Sequence, residues 1–212
     1  MFKVGRHQLN EELAFDIPKF DVESIKNHAG ALIEGEDVII TEKIHGSQGR
    51  FFFKEGKMYA GSRNLWKSEN SPCVWRKVLR DQPWIEEWCR ENEGHVLYGE
   101  VVPTQKGYRY GCQKDKADFY VFDIRDAAGH YWLKGMVFDI FRGLHTVPVL
   151  YTGPWAKTLL DKYGRGASLV PYAANQAEGC VITATDPTRW ERNLGRVQLK
   201  FVSNEFLEGD SK

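Results

Sequence analysis

The chain has no excess charge of either sign: 29 Lys and Arg stand against 29 Asp and Glu in 212 residues. That excludes a strongly basic nucleic-acid coat protein. It leaves local basic patches open, because a net sum hides distribution. No run of eighteen apolar residues occurs, so no membrane span is expected. The start, MFKVGRHQLN, lacks the apolar core of a secretory leader. Cysteine is scarce: Cys73, Cys89, Cys112 and Cys180 form neither a CxxC pair nor a finger spacing. They read as reduced thiols of a cytoplasmic protein without structural zinc. There is no internal repeat, no low-complexity tract and no linker-like stretch, so a single domain over residues 1–212 is expected.

What is present is apolar and aromatic. Hydrophobic residues make up 42 % and aromatics 13 %, with seven tryptophans, enough for a core that can also stack on planar ligands. β-Branched Val38–Lys43 reads as a strand. Arg50–Lys54 and Lys57–Gly61 read as a hairpin turning at Glu55-Gly56. Pro83 opens a helix through Trp84, Ile85, Trp88 and Cys89, with Gly94 at its cap. Val96–Val102 and Phe119–Arg125 are strands, joined by a loop from Pro103 to Asp118 long enough to point to function. Pro154–Tyr163 reads as a helix ended by Gly164. Glu178–Ala184 and Arg196–Val202 read as two further strands. Many strands with few helices give α+β, mostly antiparallel sheets flanked by helices.

The stretch Val38–Phe53, VIITEKIHGSQGRFFF, organises this pattern. It places Lys43 at the end of a buried strand, before the turn Ile44-His45-Gly46. Lysine is rarely fully buried without a partner, and a desolvated, neutral amine is a nucleophile. On these residues alone a hairpin with a solvated lysine at its tip is the favoured reading, since a four-residue match is weak. Arg63, Glu100, Glu178 and Lys200 likewise sit at or beside strand positions where apolar residues would be ordinary. Each alone fits an outward side chain on a half-exposed sheet.

Taken together, in order and spacing, they resemble the covalent nucleotidyltransferase superfamily of DNA ligases, RNA ligases and mRNA capping enzymes. The series reads Lys43-Ile44-His45-Gly46, Ser62-Arg63, Tyr98-Gly99-Glu100, Phe119–Ile124, Glu178-Gly179 and Leu199-Lys200. KxHG, in place of the aspartate usual at the position of His45, is similar to the RNA ligase 2 family. So are the segments ending in DFYVFDI and RVQLK. The resemblance implies a nucleotidyltransferase (ATP-grasp-like ligase core) fold and an ATP-dependent RNA ligase with a lysyl-AMP intermediate on Lys43. Arg63, Lys200 and a Mg²⁺ or Mn²⁺ ion near Glu178 would balance phosphate charge, and His45 would lie beside the phosphates. Glu42, Gly46, Glu100 and Glu178 would meet the nucleotide, with Glu100 near the ribose and Phe122 stacked on adenine. Arg192 and Arg196 read equally as phosphate contacts or as a solvated face. The implied partner is a nucleic acid with 5′-phosphate and 3′-hydroxyl ends, nicked duplex RNA or an RNA-containing hybrid.

Three departures temper this resemblance. Val202 stands where the last motif of that family carries a second lysine, and in the other register Gln198 is not basic. Thr183 replaces the lysine of EGxVxK. The chain ends soon after the last motif, so a second, OB or helical domain is expected to be absent or supplied by a separate chain. Two alternatives follow: a nucleotide- or RNA-end-binding module with impaired catalysis, or a capping-type guanylyltransferase, which His45 disfavours.

Overall fold

The apolar runs become strands. The structure, a computed structural model, describes residues 10–12, 15–141 and 144–209; residues 1–9, examined above for a leader, lie outside these. In chain order the strands are β1 (Asn10–Glu11), β2 (Glu23–Ser24), β3 (Asp37–Lys43), β4 (Ser47–Lys54), β5 (Lys57–Gly61), β6 (Trp66–Lys67) and β7 (Val96–Val102). They continue with β8 (Asp118–Arg125), β9 (Val149–Pro154), β10 (Gly179–Ala184), β11 (Trp190–Glu191), β12 (Gly195–Arg196) and β13 (Gln198–Val202). The helices are α1 (Val74–Asp81), α2 (Trp84–Glu91), α3 (Lys134–Ile140), α4 (Leu159–Tyr163) and α5 (Asn204–Gly209). The expected α+β class with mainly antiparallel sheets is what the chain forms.

Two compact units divide it. The first comprises residues 1–20 and 45–132, the second residues 21–44 and 133–212. In the first, a six-stranded antiparallel sheet runs β1-β6-β5-β4-β7-β8. Phe51, Leu97 and Phe119 are fully buried, and the Phe51 and Phe119 rings meet edge to face at 4.8 Å. The β4–β5 turn places Glu55 (φ 51°) and Gly56 (φ 75°) in the left-handed region, matching the strand twist as primed hairpin turns do. Arg50, 2 % exposed, is held by the carbonyls of Ile17, Pro18 and Ser62 and lies over the Trp66 ring.

The second unit has a five-stranded sheet ordered β2-β13-β10-β3-β9, with only β2–β13 parallel. Val38, Ile40, Cys180, Ile182 and Leu199 bury one face together with Trp155. Each of these Val, Ile and Leu side chains contributes about 1.5–3 kcal/mol by leaving water. The four cysteines are free and buried. Among the described residues no helix is long and apolar enough to cross a membrane.

Two expectations need correcting. Pro154–Tyr163 is not one helix: Pro154 ends the edge strand β9, and the helix begins only at Leu159. Proline is tolerated there because an edge strand needs no second ladder of donors. The last expected strand is broken at Val197, leaving β12 in a small hairpin with β11 and β13 in the main sheet. Helices α1 and α3 and strand β9 were not anticipated.

Candidate active site

In the second unit, β3 carries Ile39, Thr41 and Lys43 on one face, because side chains alternate along a strand. Register places Lys43 opposite Gly179, Thr41 opposite Val181 and Ile39 opposite Thr183 on β10. Across β10, Val181 faces Lys200 and Gly179 faces Val202. Lys43 and Lys200 therefore share a sheet face, opposite the apolar cluster. Glu178, at the start of β10, closes on the nucleophile candidate: its Oε1 lies 2.6 Å from Lys43 Nζ, with side chains 10 % and 24 % exposed. The lysine is thus a paired cation in a partly dry site, not a solvated tip. The next residue, Gly179, sets the spacing to the neighbouring strand. A Cβ there would stand 1.9 Å from the Phe201 carbonyl oxygen, so only glycine lets β10 approach β13 so closely.

Glu42 points to the other face. It is 1 % exposed and accepts hydrogen bonds from Ser168 Oγ at 2.6 Å and Leu169 N–H at 2.7 Å. Burial pushes its carboxyl above the ordinary range against the pull of those two donors. Its side chain anchors the 165–177 loop to the nucleophile strand. The two cation-poor positions also acquire places: Val202 and Thr183 both lie on the face of Lys43, Val202 one strand beyond Gly179.

In the first unit His45, Gly46 and Glu100 meet at the turn 45–47, whereas Phe122 and Arg63 lie elsewhere in it. Gly46 N–H donates to Glu100 Oε1 at 3.0 Å. A Cβ on Gly46 would lie 2.5 Å from the Val101 carbonyl oxygen, which is why this turn needs glycine. His45 N–H donates to the Tyr110 hydroxyl at 2.7 Å, and its ring meets Tyr108 edge on at 4.9 Å. Gln105 Nε2 donates to the Gly46 carbonyl, and Ser47 bonds Thr104. The 103–117 loop thus holds the residues after the lysine, a role foreshadowed by its length and by the resemblance of the segment from Gln105 to Phe122. Thr104, Tyr108 and Tyr110 were not singled out from sequence, and Gln105 only as the start of the segment that resembles the family; the paired tyrosines of YRY were the available signal. Phe122 is half-buried at a β-bulge of β7–β8, 4.9 Å from the Phe20 ring. Arg63 sits exposed in the tight turn Ser62–Leu65.

Glu178 is the candidate ligand for a divalent ion. Among the described residues no group of three His, Cys, Asp or Glu side chains could hold a metal alone. Glu178 fits the usual manner of Mg²⁺, which keeps waters and takes one or two carboxylates plus substrate phosphates.

Residues 36–202 match the sequence profile of the RNA ligase family, well over half of the chain. The chain belongs to the RNA ligase family. Solved structures with the same fold include variants of Naegleria gruberi RNA ligase. One, with AMP and manganese, is 23 % identical with a TM-score of 0.77, over 95 % of this chain and 60 % of that one. Another, with ATP and manganese, is 22 % identical with a TM-score of 0.75, over 96 % and 60 %. The Naegleria enzyme with pyrophosphate is 23 % identical with a TM-score of 0.74, over 98 % and 62 %. This RNA ligase family chain spans about three fifths of those chains. No curated protein sequence matches it.

Proposed function

We propose that this chain is the nucleotidyltransferase domain, residues 1–212, of an ATP-dependent polynucleotide ligase acting through a lysyl-AMP intermediate. The observation that carries the reading is the Lys43–Glu178 contact at 2.6 Å, at the end of a strand in a family of ligases. A carboxylate touching an ammonium can take its proton. The freed lone pair of Lys43 then attacks the α-phosphorus of ATP; a P–N bond forms, a P–O bond breaks, and pyrophosphate leaves. The 5′-phosphate of a nucleic-acid end next displaces Lys43 and takes the AMP. A 3′-hydroxyl finally attacks that end and expels AMP, sealing the strand.

This chemistry needs positioning and charge neutralisation more than proton relays. Lys200, on the face of Lys43, and Arg63 are assigned to the phosphates, as is His45. Phe122 is assigned to the adenine, Glu100 to the ribose, and Glu42 and Gly46 to the nucleotide through their backbones. A bound Mg²⁺ or Mn²⁺, held by Glu178 and nucleotide phosphates, would spread negative charge in the transition state. The substrate is assigned as nicked duplex RNA or an RNA-containing hybrid. A cytoplasmic setting suits four free thiols.

Thr183 and Val202 favour a second reading, a module that binds nucleotide or RNA ends without completing the reaction. Incubation with α-labelled ATP or GTP and a divalent metal, followed by a denaturing gel, separates the readings. Retained ATP label supports the ligase, retained GTP label a capping-type enzyme, and no label the binding module.

A further inference from the structure

Tyr110 stands where its residue type is not favoured. Cys112 N–H donates to the Arg109 carbonyl at 2.9 Å and closes the four-residue turn Arg109–Cys112. Both central residues of this turn are left-handed, Tyr110 at φ 50° and Gly111 at φ 72°. Glycine adopts that conformation freely, but at tyrosine it is strained and persists only where the surroundings impose it. They do so here. The Arg109 guanidinium donates to the Cys112 and Gln113 carbonyls, and the Tyr120 hydroxyl donates to the Tyr110 carbonyl at 3.4 Å. The turn swings the Tyr110 ring inward until it is 1 % exposed, and its hydroxyl accepts the His45 N–H at 2.7 Å. A tyrosine that only filled the core would need neither the strained turn nor the hydroxyl. The next peptide plane is held too, because Gly46 N–H donates to Glu100 at 3.0 Å. With the planes on both sides of its Cα fixed, the direction in which His45 leaves the backbone is fixed. Tyr108, from the same loop, then meets the imidazole edge on at 4.9 Å.

We propose that Tyr110 is a positioning residue for the transfer of AMP: through the His45 amide it holds the imidazole ready at the nucleotide phosphates. The inference rests on the ligase reading, which assigns His45 to those phosphates. Negative charge builds on the phosphate oxygens as pyrophosphate leaves. A group already in place meets that charge without reorganising, whereas a displacement of about 1 Å can slow a reaction about 10²-fold. Without the Tyr110 hydroxyl the peptide plane before His45 loses this hold, and the imidazole loses its fixed direction. Tyr110 itself touches no reacting atom in this account; it acts through His45 alone.

The test is a double-mutant cycle on the intact chain, read as the rate of protein labelling by α-labelled ATP. Tyr110→Phe keeps the buried ring and removes the acceptor. Its labelling rate at saturating ATP should fall about tenfold, while the ATP concentration giving half that rate stays within about twofold, since other residues are assigned to base and ribose. In a His45→Ala background the same change should slow labelling less than about twofold, because the group that Tyr110 positions is gone. Hydrogen exchange reads the bond without any activity. The His45 amide should exchange slowly in the wild type and about tenfold faster in Tyr110→Phe, with the amides of β4 unchanged. An unchanged labelling rate in Tyr110→Phe, or equal slowing in both backgrounds, would overturn the proposal. So would a His45 amide that exchanges freely in the wild type, a result that needs no variant to fold. Wild-type protein that takes up no label sinks the ligase reading, whereas labelled wild type with an indifferent or uncoupled Tyr110→Phe sinks this inference alone.

Discussion

Lys43 and Glu178 form a pair whose removal should be visible in the first chemical step. Glu178→Gln keeps the shape but cannot take a proton, so the initial rate of AMP labelling should fall about 10²-fold, within the range of a lost general base. Glu178→Asp should retain part of it; an unchanged rate in Glu178→Gln would remove that role. Phe122→Ala should weaken ATP binding by about 1–3 kcal/mol, and Phe122→Tyr should retain most of it, as calorimetry would read. Unchanged affinity would leave another ring, such as neighbouring Phe20, to stack. Glu42 offers a test by pH. Its carboxyl is raised in the folded chain above the ordinary 4.5, chiefly by burial, so folding takes up a proton there. A raised acid stabilises the fold below its unfolded value and loses that stability as pH rises through its folded value. Urea unfolding should therefore show wild type falling relative to Glu42→Gln as pH climbs from 4.5 upward. Parallel curves would contradict the burial argument.

At the scale of elements, Gly179→Ala should cost at least about 1–3 kcal/mol, because its Cβ would press on the Phe201 carbonyl and part β10 from β13. The urea midpoint measures this, and an unshifted midpoint would mean that the strands can part without loss. Val96–Val102 was legible to the residue, and β3 and the β4–β5 hairpin nearly so, because β-branched runs and turn residues agreed there. Helix α1 was not. Cys73 provides no side-chain cap to announce it, and Arg76 lies 5 % exposed where the helical pattern asks for an apolar residue. That arginine is held by the carbonyls of Met58 and Lys67, a tertiary contact no local pattern carries. Strand β9 was hidden by Gly153 and Pro154, which read as breakers until the edge position explains them. Of the site, the Lys43 motif and Glu178 could be paired from sequence only through the family resemblance. The hold of Tyr110 and Gln105 on the turn after Lys43 depends on a loop path that composition does not encode.

For the whole molecule, charge is the limiting resource. Thr183 and Val202 place no cation at two positions on the nucleophile's face, and the chain sums to zero charge. Pyrophosphate departure should suffer more than the final sealing step, which needs the AMP-bearing end and a 3′-hydroxyl. Pre-adenylylated ends should therefore be sealed faster than 5′-phosphate ends supplied with ATP. Both reactions should weaken as salt rises, since each phosphate contact releases counterions. Equal rates on the two ends would show that other side chains replace the missing lysines.

The central claim is that Lys43 carries the nucleotide. Mass spectrometry of the protein after incubation with ATP and Mg²⁺ tests it most directly. The account predicts one AMP on the peptide containing Lys43. It predicts none in Lys43→Ala, and none in Lys43→Arg, whose guanidinium stays protonated and cannot attack. An AMP adduct on Lys43→Ala, or on another peptide of the wild type, would contradict it.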